Sequence, residues 1–135
     1  MKILGIDSTA TAASAAVYAD GKLLAVNFSN TGLTHSQTLL PMIDNVLRTA
    51  RVSVNDIDYF AVSNGPGSFT GVRIGVSAVK GLSQPINKKC LGLSTLQVIA
   101  KPLENTGVYA VAVMDARCNQ VYTAQFDCNN GLDRK

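Results

Sequence analysis

The segment Asn64-Gly-Pro-Gly-Ser-Phe-Thr-Gly-Val-Arg-Ile-Gly75 carries residue types suited to holding an anion. An apolar run, Ile57-Asp-Tyr-Phe-Ala-Val-Ser63, precedes it, and an apolar helical run continues from it to Leu82. In a strand, glycine turn and helix, free backbone N–H groups and the helix N-terminus converge on one point and favour negative charge there. Gly65 and Gly67 can take backbone angles closed to other residues, and Pro66 stiffens the turn between them. With Ser68 they are the candidate phosphate contacts. The spacing fits neither the dinucleotide fingerprint nor the Walker loop, so a plain tight turn is the alternative. Two aspartates could share in such a site. Asp7, followed by Ser8, ends the apolar run Ile3–Ile6, and Asp115 ends Val108–Met114. They would either face a metal–phosphate group together or cap their own turns.

Other chemistries find no residues. Gly67 precedes Ser68 and Phe69-Thr70 follow it, so no Gly-x-Ser-x-Gly nucleophile elbow forms. His35 is the sole histidine and has no second His or Cys nearby in sequence, which suits a cap or a surface group better than a ligand. Asp44, Asp56, Asp58 and Glu104 fall on polar faces or loops, where solvated carboxylates are expected. Cys90, Cys118 and Cys128 are odd in number and lack metal spacing, which reads as reduced thiols in a cytoplasm. The net charge of +3 comes from scattered basic residues whose one doublet is Lys88-Lys89, a solvated surface rather than a nucleic-acid face. No apolar run reaches the ~18 residues of a membrane helix, and Lys2 precedes too short an apolar stretch for a signal peptide.

The elements that must position these groups follow from pattern. Ile3–Ile6 reads as a buried strand. Ser14–Ala19 and Lys22–Phe28 flank Asp20-Gly21, a hairpin turn needing positive φ at both residues. A helix is expected from about His35 to Ala50, capped by Thr34 or Ser36, with Pro41 tolerated near its start or as a kink. A second runs from about Gly71 to Leu82, stopped by Gln84-Pro85. Lys89–Leu93 forms a short strand, Ser94 caps a helix over Thr95–Lys101, and Pro102–Gly107 is the linker. The tail repeats the opening: Val108–Met114 ends in Asp115, and Gln120–Phe126 leads to the turn Asn129-Asn130-Gly131. Two lobes that each open strand–Asp–hairpin are how the actin, Hsp70 and sugar-kinase superfold begins its halves. The expected architecture is therefore α/β: an actin/Hsp70/sugar-kinase-like (ribonuclease H-like) lobe with a mixed sheet and covering helices over residues 1–104. Residues 105–135 would be the opening strands of a second, incomplete lobe, as in a piece of a longer chain.

The helices carry more apolar surface than one neighbour can cover. In the second, Val72, Ile74, Val76, Val79 and Leu82 alternate with small Gly71, Gly75, Ala78 and Gly81, and only Arg73 and Lys80 are charged. The first shows Leu39, Ile43, Val46 and Ala50 on one face and Leu40 with Leu47 on another. The two could pack on each other, or stand exposed as a pair for another helix pair to approach.

The glycine string resembles the Gly-Pro-Gly-Ser-Phe-Thr-Gly-(Leu/Val)-Arg-Ile-Gly signature of the bacterial TsaB (YeaZ) family. Lys2–Thr9, His35–Met42, Gly92–Leu96 and Met114–Arg117 with Val121-Tyr122 resemble further family segments in the same order, from Met1 to about Phe126. The resemblance implies a non-catalytic scaffold that binds and activates TsaD in making threonylcarbamoyladenosine at position 37 of tRNA. TsaE would join a larger complex and tRNA would be met only indirectly. No cofactor would be tightly bound, with ATP/ADP and Mg placed at the complex interface. Family members use the two helices for self-pairing and for TsaD, which implies an interface of His35, Leu40, Leu47, Arg73, Ile74, Gly75, Ala78 and Gly81. In the register of TsaD, Thr95 and Ile99 occupy the positions of a His-x-x-x-His metal pair, and neither suits a metal. Two rival readings are an ATP-dependent phosphotransferase of the sugar- or acetate-kinase class, built on Asp7, the Gly65–Gly71 turn and Asp115, and a glycoprotease-type metallohydrolase.

Overall fold

A computed structural model describes all residues, Met1–Lys135. The opening strand β1 (Lys2–Asp7) pairs antiparallel with β2 (Ala13–Ala19), and β2 with β3 (Lys22–Ser29). The turn between β2 and β3 is Asp20-Gly21, both left-handed at φ 48° and 83°, as the hairpin demands. On its other edge β1 pairs parallel with β4 (Tyr59–Ser63), which pairs parallel with β5 (Lys89–Leu93). The result is a mixed five-stranded sheet in the order β3-β2-β1-β4-β5.

Helices α1 (His35–Ala50) and α2 (Phe69–Ser83) cover one face of this sheet. Strand residues of one parity point at them: Leu4, Val17 and Phe60 are buried with Leu39, Ile43, Val46 and Val79 in one core. The other parity, including Gly5, Ala16 and Ala61, faces away from that core. Helix α1 runs through Pro41. Thr34 stands at its N-cap position but its hydroxyl caps nothing; the Thr34 carbonyl instead accepts from the N–H groups of Gln37 and Thr38, at 3.0 and 3.3 Å. Helix α2 begins two residues before Gly71, because Ser68 is a working cap whose Oγ accepts from the Gly71 N–H at 3.2 Å.

The tail forms a second sheet. Strands β6 (Tyr109–Arg117), β7 (Gln120–Asp127) and β8 (Asp133–Arg134) lie in that order, antiparallel, repeating the arrangement of β1–β3. Asp115 does not end β6: the strand continues to Arg117 through a register shift between the two. Helix α3 (Thr95–Ala100) has no hydroxyl cap at Ser94, and the next residues, Lys101–Leu103, make a single tight turn. Although it lies within residues 1–104, α3 packs on the second sheet, where Leu96 and Ala100 meet Ala110, Ala112, Ala124 and Phe126. Tyr109, Val111, Val113 and Val121 remain exposed.

Candidate functional site

The glycine turn is bound to β1 rather than open. The Ser68 N–H donates to the Thr9 carbonyl at 2.7 Å, and the Gly65 carbonyl accepts from the Thr95 N–H at 2.8 Å. A side chain at Gly67 would run into the Thr9 backbone, so this glycine allows the turn and the end of β1 to touch. Gly65 takes a positive φ of 113°. Ser8 is fully buried and its Oγ donates to the Gly71 carbonyl at 2.8 Å. The hydroxyls of Ser8 and Ser68 thus both bond the backbone of Gly71 at the joint between β1 and α2.

Asp7 and Asp115 are both turn-makers. Asp7 Oδ1 accepts from the Thr9 N–H and the Thr9 hydroxyl, each at 2.8 Å, and Oδ2 accepts from the Ser63 hydroxyl at 2.6 Å. Asp115 is exposed and its Oδ1 accepts from the Arg117 N–H at 2.7 Å. Asp7 lines a cavity of about 460 Å³ on the helix-free face of the first sheet, walled by α3 and β6, and Asp115 is not among its lining residues. Thr95 and Ile99 line the same cavity, one helical turn apart. No three His, Cys, Asp or Glu side chains come together anywhere in the chain.

The groups that depart from ordinary acidity all lie elsewhere. The Asp20 side chain bonds the N-terminal amine, raising the amine and lowering the carboxyl, and Asn129 holds the Asp127 carboxyl low through its backbone and side-chain N–H groups.

Opposite the cavity, between α1 and α2, runs a groove of about 690 Å³. His35, Leu40, Arg73, Ile74, Ala78 and Gly81 line it, so six of the eight expected interface residues are gathered on one surface. Leu40 is 54% exposed and Phe69, which the sequence reading did not single out, is 75% exposed. The Arg73 guanidinium lies 5.2 Å from the Phe69 ring centroid, a cation–π contact that orders the groove's charged residue. His35 reaches back to the Ala10 carbonyl with Nε2 at 2.7 Å, anchoring the start of α1 to the loop after β1.

Two expected interface residues do not belong to this surface. Gly75 is buried, and a Cβ there would lie 2.5 Å from Ser8 Oγ and 3.4 Å from Val62 Cγ2. Its smallness serves the approach of α2 to β1. Leu47 is half-buried and packs against the core of the first lobe. Among the groove residues, Phe69 and Ser77 were missed because each stands alone in sequence; the signal was their spacing from Arg73 and Ile74 along α2.

Comparison with known proteins extends this picture. The family model described as "TsaD: tRNA N6-adenosine threonylcarbamoyltransferase" matches residues 29–132. A "tRNA threonylcarbamoyladenosine biosynthesis protein TsaB" of Escherichia coli is 38% identical over 98% of this chain and 58% of its own length. The protein of that name from Buchnera aphidicola subsp. Schizaphis graminum is 33% identical, over 96% of this chain and 62% of its own. The solved structure "YeaZ from Pseudomonas aeruginosa" superposes with a TM-score of 0.89 at 30% identity, covering 99% of this chain and 64% of that one. The chain thus spans about three fifths of the length of the curated relatives it matches.

Proposed function

The chain belongs to the tRNA N6-adenosine threonylcarbamoyltransferase family and resembles its TsaB (YeaZ) members along nearly all of its length, and on that premise we propose that it is a non-catalytic partner subunit. It binds TsaD through the α1–α2 groove and holds it in an active conformation for making threonylcarbamoyladenosine at position 37 of tRNA. The single observation that supports this most is the groove itself: an apolar trough between two helices, with Leu40 and Phe69 exposed and a single cation ordered over a ring. An exposed apolar helix pair of the partner fits such a trough, because apolar area removed from water drives the docking and the small residues Ala78 and Gly81 let backbones approach.

The same surface serves self-pairing when the chain is alone, so dimer and heterodimer exclude one another. TsaE joins the larger assembly in the cytoplasm, and tRNA is met through TsaD. ATP or ADP with Mg sits at the interface of the complex, where the partner supplies cations that the Asp7 cavity lacks. The non-catalytic reading is supported by Thr95 and Ile99, whose side chains cannot serve as a transition-metal pair. The phosphotransferase reading needs Asp7 and Asp115 in one cavity, and Asp115 lies outside it.

Mixing the chain with TsaD of its own organism tests the proposal. Light scattering after gel filtration should show a one-to-one complex, and the chain alone should form no modified nucleoside. Failure to form the complex, or modification by the chain unaided, would overturn the reading.

A further inference from the structure

The cavity that holds Asp7 has a composition unlike a phosphate site. Its walls are apolar: Phe28, Leu93, Val98, Ile99 and Met114 line it with several alanines. Its one ionisable lining residue is a carboxylate, and no Lys or Arg reaches it. An anion there would meet negative charge with nothing to offset it, which disfavours nucleotides and other phosphates. The volume, about 460 Å³, lies in the range of small-molecule pockets.

Asp7 and Thr95 are polar groups of the cavity that keep hydrogen-bonding capacity. Asp7 Oδ2 accepts only from Ser63, whereas a carboxylate oxygen has room for a second donor. Thr95, 3% exposed, lines the cavity and its Oγ1 meets no partner at all. A buried hydroxyl left unpaired is costly, so a residue held this way is a signal for a missing partner.

We infer that this cavity binds a small organic cation, an ammonium head on an apolar body. The ammonium takes the free acceptor position of Asp7, and the body lies against Phe28, Val98, Ile99 and Met114. Thr95 closes the head group's hydrogen bonding when the wall of α3 shifts to admit it. This site is independent of the α1–α2 groove, which lies on the opposite side of the first sheet.

Titrations of the chain with n-hexylammonium, n-hexanol, n-hexanoate and Mg-ATP, read by side-chain methyl resonances, test the inference. Hexylammonium should move the resonances of Val98, Ile99 and Met114 at millimolar concentration, and hexanol should do so about tenfold more weakly, the loss of one charge-assisted hydrogen bond. Hexanoate and Mg-ATP should leave them unmoved. Asp7→Asn keeps the acceptor for Thr9 and should bring hexylammonium down to the level of hexanol. Thr95→Val should weaken hexylammonium binding while raising the melting temperature, because the orphaned hydroxyl is gone. Hexanoate binding as well as hexylammonium, Mg-ATP moving these resonances, no ligand moving them, or Thr95→Val lowering the melting temperature would each overturn the inference.

Discussion

The two sides of α2 are built from the same residue types and do opposite work. On the inner side Gly71, Gly75, Val79 and Ser83 form a buried stripe at every fourth position. Here smallness is a requirement: a side chain at Gly71 would collide with the Ser8 backbone, and one at Gly75 with the Ser8 hydroxyl. On the outer side Ala78 and Gly81 line the groove, and a Cβ at Gly81 would meet nothing within 4 Å. The inner glycines fix the fold; the outer small residues leave a surface open. A small residue in a helix therefore has no fixed meaning until its neighbour across the gap is known.

Substitutions on the inner side should show the largest effects. Gly75→Arg places a long charged chain between α2 and β1, beside Ser8 and Val62. It should cost more than about 4 kcal/mol and abolish the cooperative thermal transition, because a buried unpaired charge is added to overpacking. Loss of partner binding in that variant would report unfolding and say nothing of an interface. Gly71→Ala should cost about 2–3 kcal/mol in urea denaturation, since its one methyl meets backbone that cannot move aside. A normal unfolding midpoint would show that α2 can pull away from Ser8 and would erase the contrast between the two sides. Ser8→Ala should cost less, about 1–2 kcal/mol, by removing the buried hydrogen bond to the Gly71 carbonyl.

The smallest effect is expected far from both sides of α2. Asn129 stabilises the charged form of Asp127, so its folded-state pKa is below the unfolded value. That contribution is present above the ordinary carboxylate range and is lost as pH falls through the lowered folded value. Acidification from neutral pH should therefore loosen the β7–β8 turn before the first lobe, seen as a lower amide protection factor at Asn129, taken relative to the intrinsic exchange rate at each pH, with that of Val17 unchanged. Asp127 is half-buried at the end of β7 in the small second sheet, away from the core of the first lobe, so the effect on global stability should be slight.

What could be read from the sequence was whatever is decided locally. The bounds of α1, the Asp20-Gly21 hairpin and the repeated antiparallel strand opening rest on periodicity and on turn residues a few positions apart. The caps were mixed: Ser68 bonds the helix it precedes, while the hydroxyls of Thr34 and Ser94 stand at cap positions and bond no backbone N–H of their helices. Partners distant in the chain were hidden. Gly75 looked like an interface residue because nothing in the sequence places Ser8, more than sixty residues earlier, against it. The Ser63 hydroxyl that bonds Asp7 was hidden for the same reason, since it arrives from β4. Helix α3 gave no sign in its sequence of which sheet it would cover. The groove was the better-read site, because the apolar and small residues of two adjacent helices already pointed to an exposed face.

The central claim, that the outer side of α2 is a docking surface and the inner side is fold, is tested most directly by Gly81→Arg. Open space around Gly81 and the higher helix propensity of arginine mean that melting should be unchanged or slightly higher. Calorimetric titration with TsaD should then show affinity reduced at least about a hundredfold, the effect of a bulky charge forced into an apolar contact. A variant that is folded and binds TsaD as tightly as the parent chain would contradict the account.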